Sequence, residues 1–133
     1  MLRSQPLIAV VDDEESIRKA LTRLLHSADL EVQAFASGAD FLASLAVRQP
    51  DCLVLDLHLP GMNGCDVQTR LAQADAHFPV IIITGHDSPA GRERAMSGGP
   101  SAYFRKPVDG QALLDAIEFA LSQEIPKPND RGK

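Results

Sequence analysis

Short apolar runs alternate with longer amphipathic stretches along this chain. Residues 7–11 (LIAVV) form a compact run rich in β-branched side chains that stops at Asp12 and Asp13. Over 16–28, Ile17, Leu21, Leu24 and Leu25 recur at helical spacing. Residues 31–35 predict a second strand, and Ser37 is a candidate N-cap for a helix carrying Phe41, Leu42 and Leu45. Pro50 breaks that pattern, and 52–55 predict a third strand ending at Asp56. The LPGMNG segment, 59–64, is turn chemistry, followed by a helix over about 66–74. Residues 80–83 (VIII) are the most apolar run and end at Thr84. A helix over 89–96 carries Gly91 and meets Gly98-Gly99-Pro100, so it is expected to be short or frayed. Residues 102–105 predict a fifth strand, and Asp109 caps a last helix with Leu113, Leu114, Ile117 and Leu121 on one face.

Strands alternating with helices imply an α/β domain around a parallel sheet. Strands buried on both faces explain a continuous run such as VIII. The predicted fold is a single doubly wound (βα)5 domain, a five-stranded parallel sheet with helices on both faces. The 133 residues suit one domain, and 44% apolar and 23% charged residues suit a soluble globular protein. The net charge of −5 argues against direct nucleic-acid binding by this chain. Cys52 lies in an apolar run and is read as a small core residue. No apolar stretch approaches the ~20 residues of a membrane span. The N-terminus lacks the pattern of a secretory signal, so the expected location is cytoplasmic, without membrane contact.

In a parallel sheet built with right-handed crossovers, every strand's carboxyl end lies on one edge, where ligand sites form. Asp12-Asp13, Asp56, Thr84 and Lys106-Pro107 all stand at such ends. Crowded carboxylates must either protonate or share a cation. Hard oxygen ligands suit Mg²⁺. A Lys and a Thr hydroxyl beside them suit phosphoryl oxygens. The set fits phosphoryl transfer to a carboxylate nucleophile. Singly, each residue has an ordinary explanation: Asp13 or Ser16 could cap the first helix, Thr84 could be a strand residue and Lys106 a solvated charge. Their joint placement on one edge favours chemistry.

The segments VVDDEESIR, LVLDLHLPGMNG, VIIITGH and YFRKP resemble, in order and separation, the signature segments of response-regulator receiver domains of the CheY-like, flavodoxin-like superfamily. The segment around TGH is similar to FixJ-type receivers. The resemblance spans roughly 7–121. It implies that Asp56 accepts a phosphoryl group from a sensor histidine kinase or a histidine phosphotransfer protein. It implies Mg²⁺ on Asp13 and Asp56, with Asp12 acting through water and the backbone carbonyl of His58 as a further ligand. Lys106 would contact the phosphoryl oxygens, and Lys106-Pro107 would be cis. Thr84 would move to the phosphoryl group and Tyr103 would swing inward. The fourth helix, fifth strand and fifth helix would present the output surface to a downstream protein effector, as a monomer or a phosphorylation-dependent dimer. His58 and His86 stand at positions that modulate dephosphorylation in such domains; as side chains they read as exposed loop histidines. Gly98-Gly99-Pro100 replaces a more usual Ala-Gly-Ala, so the end of the fourth helix is expected to be loose.

The expected organisation is a receiver over 1–122 and a polar, disordered tail over 123–133. Met1 and that tail favour a stand-alone regulator over the receiver half of a longer FixJ-type transcription factor. An Asp-nucleophile phosphatase would need a second acid in Asp56-Leu57-His58, which is absent. A flavodoxin-like FMN carrier would need a phosphate-cradling loop where this chain has DDEES, whose acids repel phosphate. The domain is therefore read as a signalling switch rather than an enzyme, one that catalyses at most its own phosphorylation and dephosphorylation.

Overall fold

The computed structural model describes residues 5–123; the tail from 124 onward lies outside the described residues. Five strands alternate with five helices: β1 (Leu7–Val11), α1 (Glu15–Ser27), β2 (Glu31–Phe35), α2 (Gly38–Ser44), β3 (Cys52–Asp56), α3 (Gly64–Gln73), β4 (Val80–Thr84), α4 (Pro89–Met96), β5 (Ala102–Arg105) and α5 (Gly110–Ser122). All strand pairs are parallel, in the order β2-β1-β3-β4-β5. The chain moves outward from β1 to β2 and then returns past β1 to β3. The loops after β1 and β3 therefore diverge, and a crevice opens between them at the carboxyl edge.

The central strands are sandwiched between two apolar layers because successive side chains point to opposite faces. Val11, Leu53, Leu55 and Ile82 pack with Phe41, Val67 and Leu71 on the side of α2 and α3. Val10, Val54, Ile81 and Ile83 pack with Leu21, Leu25, Leu113 and Ile117 on the side of α1 and α5. Cys52 belongs to the second layer, and burial pushes its thiol up to about 12.

The helix starts show where local chemistry decides. The Ser37 hydroxyl accepts from the Asp40 amide, and the Asp109 carboxylate from the Ala112 amide, as expected. Helix α3 begins earlier than the apolar spacing suggests, at Gly64. Asn63 and Asp66 form a reciprocal capping box that fixes the start there. Neither Asp13 nor Ser16 caps α1: its N-cap is Glu14, without a side-chain cap bond, and the Glu14 amide donates to the Asp12 carboxylate at 2.9 Å.

Helix α4 is short, with Ala95 alone buried, yet both ends are tied. Ser88 caps its start through the Gly91 amide. Gln68 of α3 donates to the Ala95 carbonyl at 3.1 Å, and a Cβ at Gly98 would lie 2.6 Å from that amide nitrogen. The Gly98-Gly99 pair, expected to loosen this end, thus makes room for an anchor, and Gly99 supplies a positive φ of 72°.

Candidate functional site

The carboxyl ends of β1 and β3 bring Asp12, Asp13 and Asp56 together, with one carboxylate oxygen of each within 4.8 Å of the others. Asp12 is fully buried and Asp56 is 2% exposed, while Asp13 faces solvent. The strand register sets Val11 beside Leu55, so the acids that follow emerge at one level. Asp56 Oδ1 accepts from the His58 amide at 3.2 Å, which orients the carboxylate.

Lys106 reaches into this cluster from the exit of β5. Its Nζ lies 2.8 Å from Asp12 Oδ2, 3.2 Å from Glu14 Oε1 and 3.4 Å from Asp56 Oδ2. The Lys106-Pro107 peptide is cis, as the resemblance implies. Burial alone would lower the lysine's pKa, but Asp12, Asp56 and Glu14 outweigh it and hold it above its ordinary value. Burial and the charge of Asp12 raise the carboxyl pKa of Asp56, against the opposing pull of the His58 amide and Lys106. Asp12 Oδ2 is buried and lacks a properly directed hydrogen bond, so its contact with the ammonium is one of charge.

That unsatisfied oxygen and the three-carboxylate cluster fit a hard divalent cation, which seeks oxygen ligands and tolerates water in open positions. One ammonium cannot neutralise Asp12, Asp13, Glu14 and Asp56 together. The donor set is therefore suited to Mg²⁺.

Thr84 is buried at the end of β4, and its hydroxyl is already engaged. It donates to the His86 carbonyl and accepts from the His86 amide, each at 3.1 Å. Tyr103 is half-buried on β5 and donates to Asp87 Oδ1 at 2.8 Å. His58 and His86 are exposed, as expected, and stack edge to face with centroids 4.7 Å apart. Leu59 and Met62 pack onto the layer beneath the loop.

Sequence reasoning missed two residues here. Glu14 joins the lysine cluster; its signal was the run of acids DDEE. Asp87 binds Tyr103 across 16 positions, and no local pattern marks it.

The model of the response regulator receiver domain family matches residues 8–118. Nodulation protein W of Bradyrhizobium diazoefficiens is 42% identical over 121 residues, covering 91% of this chain and 53% of that protein. The DNA-binding transcriptional regulator NtrC of Escherichia coli is 36% identical, covering 93% of this chain but 27% of that protein. The solved structure of FixJ-N superposes with a TM-score of 0.84 at 30% identity, covering 94% of this chain and all of that one. The chain thus spans about half the length, or less, of these two curated relatives.

Proposed function

The chain belongs to the response regulator receiver domain family of two-component signalling, and from that premise we propose that it takes a phosphoryl group from a phosphohistidine onto Asp56. The observation that carries this reading is one buried carboxylate at a strand end, in charge contact with Lys106 and clustered with Asp12 and Asp13. The P–N bond of the donor breaks, a P–O bond to Asp56 forms, and the donor histidine leaves with the bonding pair. Only a deprotonated carboxylate attacks. The His58 amide holds Asp56 in place, and Lys106 is close enough to offset charge on phosphoryl oxygens. Asp12, Asp13 and Asp56, with the His58 carbonyl, are the groups that would hold Mg²⁺. When bound, Mg²⁺ offsets the repulsion among the carboxylates and the incoming phosphoryl oxygens.

Phosphorylation would then shift Thr84 and Tyr103 and alter the surface of α4, β5 and α5 that faces an effector. Donor and effector are both proteins, a sensor histidine kinase or phosphotransfer protein and a downstream partner, in the cytoplasm. The receiver unit is read as 1–122, in a monomer or a phosphorylation-dependent dimer. The relatives' greater length favours a second reading alongside it, the same receiver serving within a longer transcription regulator. The mass of the protein isolated from its source separates the two.

The test of the chemistry is intact-mass measurement after a small phosphodonor and Mg²⁺. The native protein should gain one phosphoryl group and Asp56→Asn none. Undiminished labelling in that variant would overturn the assignment.

A further inference from the structure

We propose that the His58 and His86 side chains hold a divalent cation of the zinc class at the mouth of the crevice, fastening the loop after β3 to the loop after β4. This site is separate from the Asp12, Asp13 and Asp56 cluster and takes a metal of different chemistry.

The two rings come from different loops. His58 follows β3 and His86 follows β4, neighbouring parallel strands in which Asp56 sits beside Ile83. Both side chains are exposed, and their ring centroids lie 4.7 Å apart. A zinc ion about 2.1 Å from one nitrogen of each ring lies roughly 3.2 Å from each ring centre. Ligand angles of about 90–110° then set the centres about 4.5–5.2 Å apart, and the observed separation falls in that range. Both backbones are already fixed. The His58 amide donates to Asp56 Oδ1 at 3.2 Å, and the His86 amide and carbonyl both bond to the Thr84 hydroxyl at 3.1 Å. Binding therefore has little to order beyond side-chain torsions.

His58 Nε2 lies 3.2 Å from the His86 carbonyl oxygen. An ion in place of the proton between them, about 2.1 Å from each, holds the two atoms at neighbouring ligand positions. As a hydrogen bond open to water, that contact contributes little on its own. Among the described residues, no hydrogen bond or ion pair engages the His86 ring, so its nitrogen can turn to the same ion. Water completes the shell. Imidazole nitrogens suit zinc, copper and nickel, whereas Mg²⁺ prefers carboxylate oxygens, so the two sites sort two kinds of cation. Asp12, Asp13, Glu14 and Asp56 below the pair carry more charge than Lys106 offsets, which draws cations to this edge.

The test is calorimetric titration of Zn²⁺ into the protein in excess Mg²⁺, with the imidazole ring signals followed by NMR. His58→Gln and His86→Gln should each weaken Zn²⁺ binding at least tenfold. His77→Gln, which removes an imidazole paired with Asp75 instead, should leave it unchanged. The ring signals of His58 and His86 should move together in the native protein while that of His77 stays. Undiminished affinity in both His58→Gln and His86→Gln would overturn the site. So would binding lost in Asp13→Asn but intact in His86→Gln, which would put the ion on the carboxylates. Bound zinc should also slow Asp56 labelling in the native protein and not in His86→Gln, and full-rate labelling with zinc bound would overturn the fastening of the loops. Only this last arm rests on the phospho-acceptor reading. Calorimetry and ring shifts need no phosphate, so a failure of Asp56 to label is seen separately.

Discussion

Asp56 is held under opposed influences, and the metal-free protein carries the cost. Burial and Asp12 favour its neutral form, while the His58 amide and Lys106 favour the charged one, and the first pair prevails. The folded chain therefore binds this proton more readily than the unfolded chain, whose carboxyl has the ordinary value of 3.8. Such a group contributes stability below that value and loses it as pH rises through the raised folded value. Asp56→Asn, which keeps the shape and cannot ionise, should be more stable than the native protein at pH 7 in EDTA. The gap should close as pH falls below about 4, where the ordinary carboxyl protonates. Mg²⁺ should also narrow it, because the native cluster gains more from the cation than the variant does. Urea unfolding at several pH values, with and without Mg²⁺, checks all three; a variant less stable in EDTA at pH 7 would mean that Lys106 outweighs the burial of Asp56.

At the scale of elements, the start of α3 is pressed directly against the site. A Cβ on Gly64 would lie 2.6 Å from the Asp56 carbonyl oxygen and 2.8 Å from the Leu57 Cα, both backbone atoms that cannot step aside. The Gly64 amide also donates to the Leu57 carbonyl at 2.9 Å, which ties the helix start to the loop after β3. Gly64→Ala should destabilise the fold by roughly 1–3 kcal/mol, the usual range for overpacking. It should also slow Asp56 labelling, since the displaced backbone carries the nucleophile. A denaturant titration beside a labelling time course measures both. Glycine was readable here as turn chemistry, but its reason, a helix start pressed on the nucleophile's own carbonyl, is tertiary.

The same division holds elsewhere. Apolar runs bounded by acids or a proline marked β1, β3 and β4, because a buried parallel strand needs continuous apolar side chains. Asp12, Asp13, Asp56 and Lys106 were legible because topology alone carries strand ends to one edge. The start of α3 was legible in principle from Asn63 and Asp66, whereas apolar periodicity placed it late. Glu14, Asp87 and Gln68 act across loops and between helices. Side-chain reach decides such contacts, and spacing along the chain does not encode it.

Across the whole molecule, rigidity is distributed unevenly, and that sets where a signal can go. Strands β1, β3 and β4 are packed between two apolar layers, and close packing leaves them no second arrangement. Edge strand β5 is half-buried, and α4 has one buried residue. The loop 85–88 joins the site to both. A change at Asp56 should therefore leave β1 and β3 in place and reach α4 and β5 through Thr84. Thr84→Ala keeps the nucleophile, the carboxylate cluster and Lys106, so it should still accept a phosphoryl group within a few-fold of the native rate. It loses the hydroxyl that links His86 to the site. Beryllium fluoride with Mg²⁺ should shift amides around Tyr103 and over 91–100 in the native protein, and these shifts should shrink in Thr84→Ala. Amides of β1 and of the first residues of β3 should be silent in both proteins. A full native response in Thr84→Ala would mean that the signal leaves by the other tie to the His86 carbonyl, the His58 ring on the loop that follows Asp56.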